Sequence, residues 1–325
     1  MSFTLAKRRR NEPAFYDYHP EPSRFREDVL SGLTGKQRQI PPKYFYDERG
    51  SRLFDAICQL PEYYPTRTEI KLLERYGAEM AQCMGEGSIL VEFGSGSSLK
   101  IRLLLDALQP AAYLPIDISR KHLLNAARRL SHDYPMVAVH AICADYTCPL
   151  ALPTCFISGA KTGFFPGSSI GNFEPLEALQ FLKQVAALLG RGSGLLIGVD
   201  LKKEIALLNA AYNDSQGITA AFSLNLLQRI NRELEADFDL SAFEHRAFYN
   251  TIKGRVEMHL VSCRRQIVTV SNQRFEFQAE ETLHIENSYK YSIEEFQQLA
   301  KVAGFKPQRV WIDKESLFSV HYLYL

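Results

Sequence analysis

The stretch Ser88-Ile89-Leu90-Val91-Glu92-Phe93-Gly94-Ser95-Gly96-Ser97-Ser98-Leu99-Lys100-Ile101-Arg102-Leu103-Leu104-Leu105 reads as a buried strand, a turn of small residues and the opening of a helix. Small residues let the backbone approach a ligand closely, and the helix N-terminus behind them offers unpaired N–H groups to polar or anionic atoms. A nucleotide-like cofactor suits such a turn. The next apolar run, Tyr113-Leu114-Pro115-Ile116, ends in Asp117, about 20 residues past the glycines, where a Rossmann-type sheet offers a carboxylate to ribose hydroxyls. A third run, Val137 to Cys143, leads into Asp145 and Tyr146, an acidic group and an aromatic face for adenine. Three strand ends would then converge on one adenosine.

The residues of the turn separate the cofactors. Nicotinamide sites of the Gly-x-Gly-x-x-Gly type need a third glycine for close helix packing, and Leu99 stands there. Phosphate loops need a glycine directly before their lysine, and none precedes Lys100. An acidic residue two positions before Gly-x-Gly is the common pattern of S-adenosylmethionine-dependent methyltransferases, and Glu92-Phe93-Gly94-Ser95-Gly96 fits it.

Outward from this turn the pattern predicts strands at 88–93, 113–116, 136–142, 162–168 and 194–199, alternating with helices at 99–108, 119–130 and 175–189. Such alternation specifies an α/β fold, a Rossmann-like parallel sheet with helices on both faces. Ligands in these sheets lie beyond the carboxyl ends of the strands, where Gly94, Asp117, Asp145, Asn172 and Asp200 fall. Past Asp200 the character changes to two helical segments (203–213, 219–236) and two stretches of period-two alternation (255–270, 274–288), an inserted α+β lobe. A helix at 293–303 and strands at 306–313 and 317–325 would complete the first sheet with an antiparallel hairpin. The expected division is 1–65, joining the substrate lobe; 66–202, the core; 203–289, the inserted lobe; and 290–325, the completion of the core sheet.

The 325 residues carry 38 Lys plus Arg against 37 Asp plus Glu. No global field draws the chain to nucleic acid, and a small-molecule partner is favoured. The basic run Lys7-Arg8-Arg9-Arg10 reads as a solvated leader. No apolar stretch reaches the ~20 residues of a membrane helix, and the start carries no secretory signal, so the cytosol is expected. Six cysteines without Cys-x-x-Cys spacing and eight histidines without a local ligand pattern predict reduced thiols and no metal. A monomer is expected.

Several stretches together resemble one family, the histidine Nα-methyltransferases of ergothioneine biosynthesis: Lys43-Tyr44-Phe45-Tyr46-Asp47-Glu48-Arg49-Gly50-Ser51, the run from Leu60 to Glu69, Glu92 to Lys100, Gly167-Ser168-Ser169-Ile170-Gly171-Asn172, Ala211-Tyr212-Asn213-Asp214, Asn231-Arg232-Glu233-Leu234 and Arg255-Val256-Glu257-Met258. They extend from about residue 28 to the C-terminus, and the combination is far more specific than any one string. The resemblance implies S-adenosylmethionine as cofactor and three successive methyl transfers to the α-amine of L-histidine, giving its trimethylammonium betaine, hercynine. It implies Gly94, Ser95, Gly96 and Lys100 along the cofactor cleft, Asp117 on ribose, and Asp145 with Tyr146 on adenine. Tyr63, Asn172 and Tyr212 would surround the carboxylate and amine, with Asn172 and Tyr212 the catalytic pair. Tyr46, Glu286 and Ser288 would face the imidazole, and Met258 would shape its pocket. Ile285-Glu286-Asn287-Ser288 keeps the family's Glu-x-Ser spacing with altered neighbours.

The chemistry asks for these residue types. Methyl transfer from a sulfonium is an in-line displacement, so alignment and exclusion of water dominate. The attacking amine must be neutral, and desolvation beside a cation favours that form. Asn172 can meet the nitrogen without holding its charge as a carboxylate would. Aromatic faces attract a growing quaternary ammonium. Imidazole carries one N–H and one bare nitrogen, which a glutamate and a hydroxyl can pair. Asp200 reads as a loop anchor, and Arg67 and Glu69 as braces of the turn that displays Tyr63. Two other readings stay open: N-methylation of another aromatic amino acid or a histidine derivative, and a cofactor-binding regulatory protein without catalysis.

Overall fold

A computed structural model describes residues 12–18, 22–85, 87–96, 98–156 and 160–325; the basic run at 7–10 and Ser97 of the glycine turn lie outside them. In chain order the strands are β1 (Ala14–Tyr18), β2 (Ile89–Phe93), β3 (Ala112–Asp117), β4 (Ala138–Ala144), β5 (Lys161–Phe165), β6 (Gly194–Asp200), β7 (Phe243–Asn250), β8 (Arg255–Ser262), β9 (Gln266–Val270), β10 (Gln273–Phe277), β11 (Thr282–Tyr289), β12 (Lys306–Ile312) and β13 (Phe318–Tyr324). The helices are α1 (Pro22–Thr34), α2 (Glu48–Ile57), α3 (Tyr64–Met84), α4 (Leu99–Leu108), α5 (Arg120–Asp133), α6 (Pro175–Leu189), α7 (Ile205–Tyr212), α8 (Ile218–Glu233) and α9 (Ile293–Val302).

Eight strands form one sheet in the order β1-β4-β3-β2-β5-β6-β13-β12. From β1 to β6 every pair is parallel, while β13 runs antiparallel to both β6 and β12. The expected C-terminal hairpin is therefore present. The direction of strand addition reverses between β2 and β5, the switch point where doubly wound sheets bind ligands. Apolar side chains of α3, α4 and α5 cover one face and those of α6 and α9 the other. The central strands β2, β3, β5 and β6 are buried almost throughout, which explains their unbroken apolar runs.

A separate core joins α1, α2, the start of α3, α7, α8 and the antiparallel strands β11-β8-β7. Each expected strand-like stretch here is broken in two. The 255–270 stretch turns after Ser262, and the 274–288 stretch turns near Glu280, whose φ of 64° closes the bend. The strand expected at 162–168 stops at Phe165, because Pro166 has no N–H to extend the ladder and Gly167 and Ser168 follow with φ of 80° and 60°. The sequence pattern gives no sign of α1, of β7, or of β1, which pairs in parallel with β4 at the sheet edge.

Candidate active site

The glycine turn bends across the end of β3. Gly94 N–H donates to Ile116 O at 2.8 Å, and Gly94 and Gly96 have φ of 72° and 49°, a conformation glycine adopts without strain. Asp117, the last residue of β3, accepts from Gly96 N–H at 3.1 Å on one oxygen and from Ser119 N–H at 2.8 Å on the other. Burial raises its pKa against those two bonds. At the end of β4, Asp145 accepts from the Lys43 ammonium at 3.1 Å, Thr147 N–H at 3.0 Å and the Thr147 hydroxyl at 2.5 Å. Burial works against its charge, but these donors win and hold the carboxyl below its usual range. The Tyr146 ring lies over Gly94, where a Cβ would stand 3.5 Å from it.

These groups line a cleft of about 430 Å3 between the sheet tips and the second core, a volume within the ordinary range for small-molecule sites. Gly94, Gly96, Asp117, Asp145 and Tyr146 all face it; Ser95 and Lys100 do not. Lys100 lies behind the turn, its ammonium 2.5 Å from Glu69, whose carboxylate also accepts from Gly167 N–H at 2.9 Å. Glu69 thus braces the turn after β5, while Arg67 donates to Leu60 O and braces the turn before α3. Glu92 is buried below the glycines, accepts from Tyr113, and is pushed up to about 8 by burial. A cleft bordered by two strand-end carboxylates, an aromatic face and a Cβ-free turn fits adenosine with its ribose.

A smaller chamber continues from the cleft, and Tyr46, Phe54, Ser169 and Asn172 border both. All seven residues expected around the amino acid line it: Tyr46, Tyr63, Asn172, Tyr212, Met258, Glu286 and Ser288. Asn172 ends a short 3-10 turn, Ser169–Asn172, and its amide donates to Glu286 Oε1 at 2.9 Å. Tyr63 meets Tyr212 edge to face at 6.0 Å, and Tyr46 does the same with Phe54 and Phe222. Glu286 and Met258 are cross-strand partners, so both occupy one face of the small sheet. Burial pushes the Glu286 carboxyl up to about 8, with Lys290 only partly opposing.

The orientation of Glu286 comes from a bulge. Strict alternation from Leu283 and Ile285, both in the core, would send Glu286 to the outer face beside His284. The register slips between His284 and Glu286, so Glu286 and Ser288 turn into the chamber while Asn287 bonds outward to His284 and Glu174.

Sequence reading missed the polar network beneath the chamber. Lys290, fully buried, donates to Tyr212 OH, Ser288 Oγ and Asp200. Asp200 also receives Tyr64 OH and the Lys203 ammonium, which makes it the anchor the sequence suggested and separates Tyr64 from Tyr63, the one that reaches the chamber. Nothing in the string Tyr289-Lys290-Tyr291 marks its lysine as buried.

The seven strands β4-β3-β2-β5-β6-β13-β12, with the late antiparallel strand β13 and the site at the tips of β2, β3 and β4, form the doubly wound core that the alternating pattern specifies. Residues 25–325 match the family described as histidine-specific methyltransferase, SAM-dependent. The chain is 40% identical over 302 residues to histidine N-alpha-methyltransferase of Mycolicibacterium smegmatis, covering 91% of this chain and 93% of that protein. It is 33% identical over 295 residues to ergothioneine biosynthesis protein 1 of Neurospora crassa, covering 84% of this chain and 32% of that longer protein. A 4-dimethylallyltryptophan N-methyltransferase of Claviceps purpurea is 26% identical over 321 residues, with 89% and 91% covered. The chain belongs to the family of histidine-specific, S-adenosylmethionine-dependent methyltransferases.

Proposed function

We propose that the chain methylates the α-amine of L-histidine three times in succession to yield hercynine. The observation that carries this reading is the shared wall of Tyr46, Phe54, Ser169 and Asn172, which opens the adenosine-sized cleft into a chamber lined by the buried carboxyl of Glu286. Gly94, Gly96, Asp117, Asp145 and Tyr146 would hold S-adenosylmethionine, with Ser95 and Lys100 supporting the turn from behind. When bound, that cofactor supplies an electrophilic methyl group on a sulfonium.

The chain's own residues then have to position a neutral amine and keep water out. With one N–H committed to Glu286, the amide of Asn172 keeps its carbonyl oxygen to receive an amine hydrogen. Tyr63 and Tyr212 would take the carboxylate side and Tyr46 and Met258 the ring, while Ser288, expected on the ring, lies 2.7 Å from Tyr212 OH and would fall on the carboxylate side. Burial raises the Tyr46 and Tyr63 hydroxyls well above their ordinary value, so both stay neutral donors. Their faces, with Phe54 and Phe222, suit a nitrogen that gains methyl groups and a fixed charge. A cytosolic monomer acting on a free amino acid, with 203–289 as specificity wall, completes the proposal; all six cysteines are free thiols.

Mass spectrometry of the purified chain with S-adenosylmethionine and single amino acids tests it. Mono-, di- and trimethylated histidine in sequence is the expected result. Methylation of tryptophan in preference to histidine would favour the reading of another aromatic amino acid, and no methylated product from the panel would favour a non-catalytic cofactor-binding protein.

A further inference from the structure

The ammonium of Lys290 has three N–H donors and spends all of them: on Asp200 Oδ2 at 2.7 Å, Tyr212 OH at 2.9 Å and Ser288 Oγ at 2.7 Å. Tyr212 OH and Ser288 Oγ are also 2.7 Å from one another. Each hydroxyl owns one hydrogen and two lone pairs. The lysine fills one lone pair on each oxygen, and the bond between the hydroxyls consumes one hydrogen and one further lone pair. One O–H is left over, and because both residues line the chamber it has the chamber to point into.

This corner is therefore a donor, and it sits under positive charge. Lys290 and Lys203 together outweigh the single carboxylate of Asp200, and Tyr64, the remaining partner, is neutral. Asp313 acts on Lys203 from farther off. Glu286, two positions before Ser288 on β11, is the acidic group on the chamber side, and its carboxyl accepts from the Asn172 amide at 2.9 Å. A hydrogen-bond donor backed by a buried cation favours an anionic acceptor over a neutral one and repels an ammonium or imidazolium.

Building on the amino-acid methyltransferase reading above, we infer that Lys290 is a specificity-determining positioning residue, which acts through Tyr212 and Ser288 to make this corner the seat of the substrate's carboxylate. Lys290 does not line the chamber, so its influence travels through the two hydroxyls it orients. Asp200 keeps the ammonium buried and charged.

Calorimetry in the presence of S-adenosylhomocysteine separates this role from simple support. Histidine and histamine, which lacks the carboxylate, are titrated into the wild-type chain, Lys290→Met, and the double variant Asp200→Asn with Lys290→Met, which removes the buried carboxylate together with its cation. The expected result is a loss of at least about tenfold in histidine affinity, with histamine and S-adenosylhomocysteine affinities changed by less than about twofold in whichever variant folds. KM for histidine should rise more than kcat falls. Unchanged histidine affinity, or an equal loss for histidine and histamine, overturns the inference. Failure of the wild-type chain to bind histidine would instead strike the substrate reading on which it rests.

Discussion

At the scale of single residues, the chamber is a set of polar atoms whose bonds are mostly spent on one another, so each remaining valence has an assigned use. Replacing Asn172 with Ala removes both the partner of Glu286 and the oxygen left for the amine, and turnover should fall by on the order of a hundredfold or more while S-adenosylhomocysteine affinity, read by calorimetry, stays put. Equal loss of both would contradict the division between cleft and chamber. Glu286 carries a second prediction. Its pKa is raised from 4.5 to about 8, so between those values the folded chain holds a proton that the unfolded chain has released, and stability falls as pH rises. Glu92, also raised to about 8, adds to the same slope. Thermal unfolding of the ligand-free chain from about pH 5 to pH 9 should show a falling Tm, and Glu286→Gln should flatten part of the fall; an unchanged slope would mean the carboxyl is solvated. Tyr46, Tyr63 and Asn172 were legible in the sequence because short motifs surround them. Lys290 was not, since a lysine becomes buried only when partners from β6, α7 and β11 converge on it, and no local pattern records that convergence.

At the scale of elements, the site depends on how closely the turn at 169–172 approaches β11. A Cβ built on Gly171 would stand 2.6 Å from Tyr289 O, a distance real side chains do not tolerate. Gly171→Ala should therefore push the turn from the strand, cost about 1–3 kcal/mol of stability, and lower kcat/KM for histidine far more than it lowers affinity for S-adenosylhomocysteine. Normal kinetics in that variant would show that the two elements need not touch. The alternating strands and helices of the core were readable because β2, β3, β5 and β6 are buried on both faces and their helices have one apolar stripe each. In β7, Phe243 and Ala247 are four residues apart and the intervening positions are polar or half-exposed, which hides the strand period. The bulge at Ile285 escapes pattern reading for a related reason: it breaks the period-two rule at the place where the functional carboxyl turns inward.

At the scale of the whole molecule, two cores meet over one cleft, and the contacts across it are polar. Lys43 reaches Asp145 at 3.1 Å, the buried hydroxyls of Ser51 and Ser119 meet at 3.1 Å, and Lys121 pairs with Glu48 at 2.8 Å. Hydrogen exchange with and without S-adenosylhomocysteine should accordingly show protection at 41–55 as well as at 94–96, 117–122 and 145–147; protection confined to the core segments would mean the second lobe takes no part in holding the cofactor. The sequence pattern changes after Asp200, where the chain leaves β6 for α7 and α8 of the second core. The placement of β1 at the edge of the main sheet was not foreseeable, because five residues beside β4 leave too short a signal. The account as a whole rests on which nitrogen faces the opening between chamber and cleft. A crystal structure with histidine and S-adenosylhomocysteine tests that most directly: it should place the α-nitrogen at the opening bounded by Tyr46, Phe54, Ser169 and Asn172, with the imidazole against Glu286. A ring nitrogen at that opening, or histidine bound outside the chamber, would contradict it.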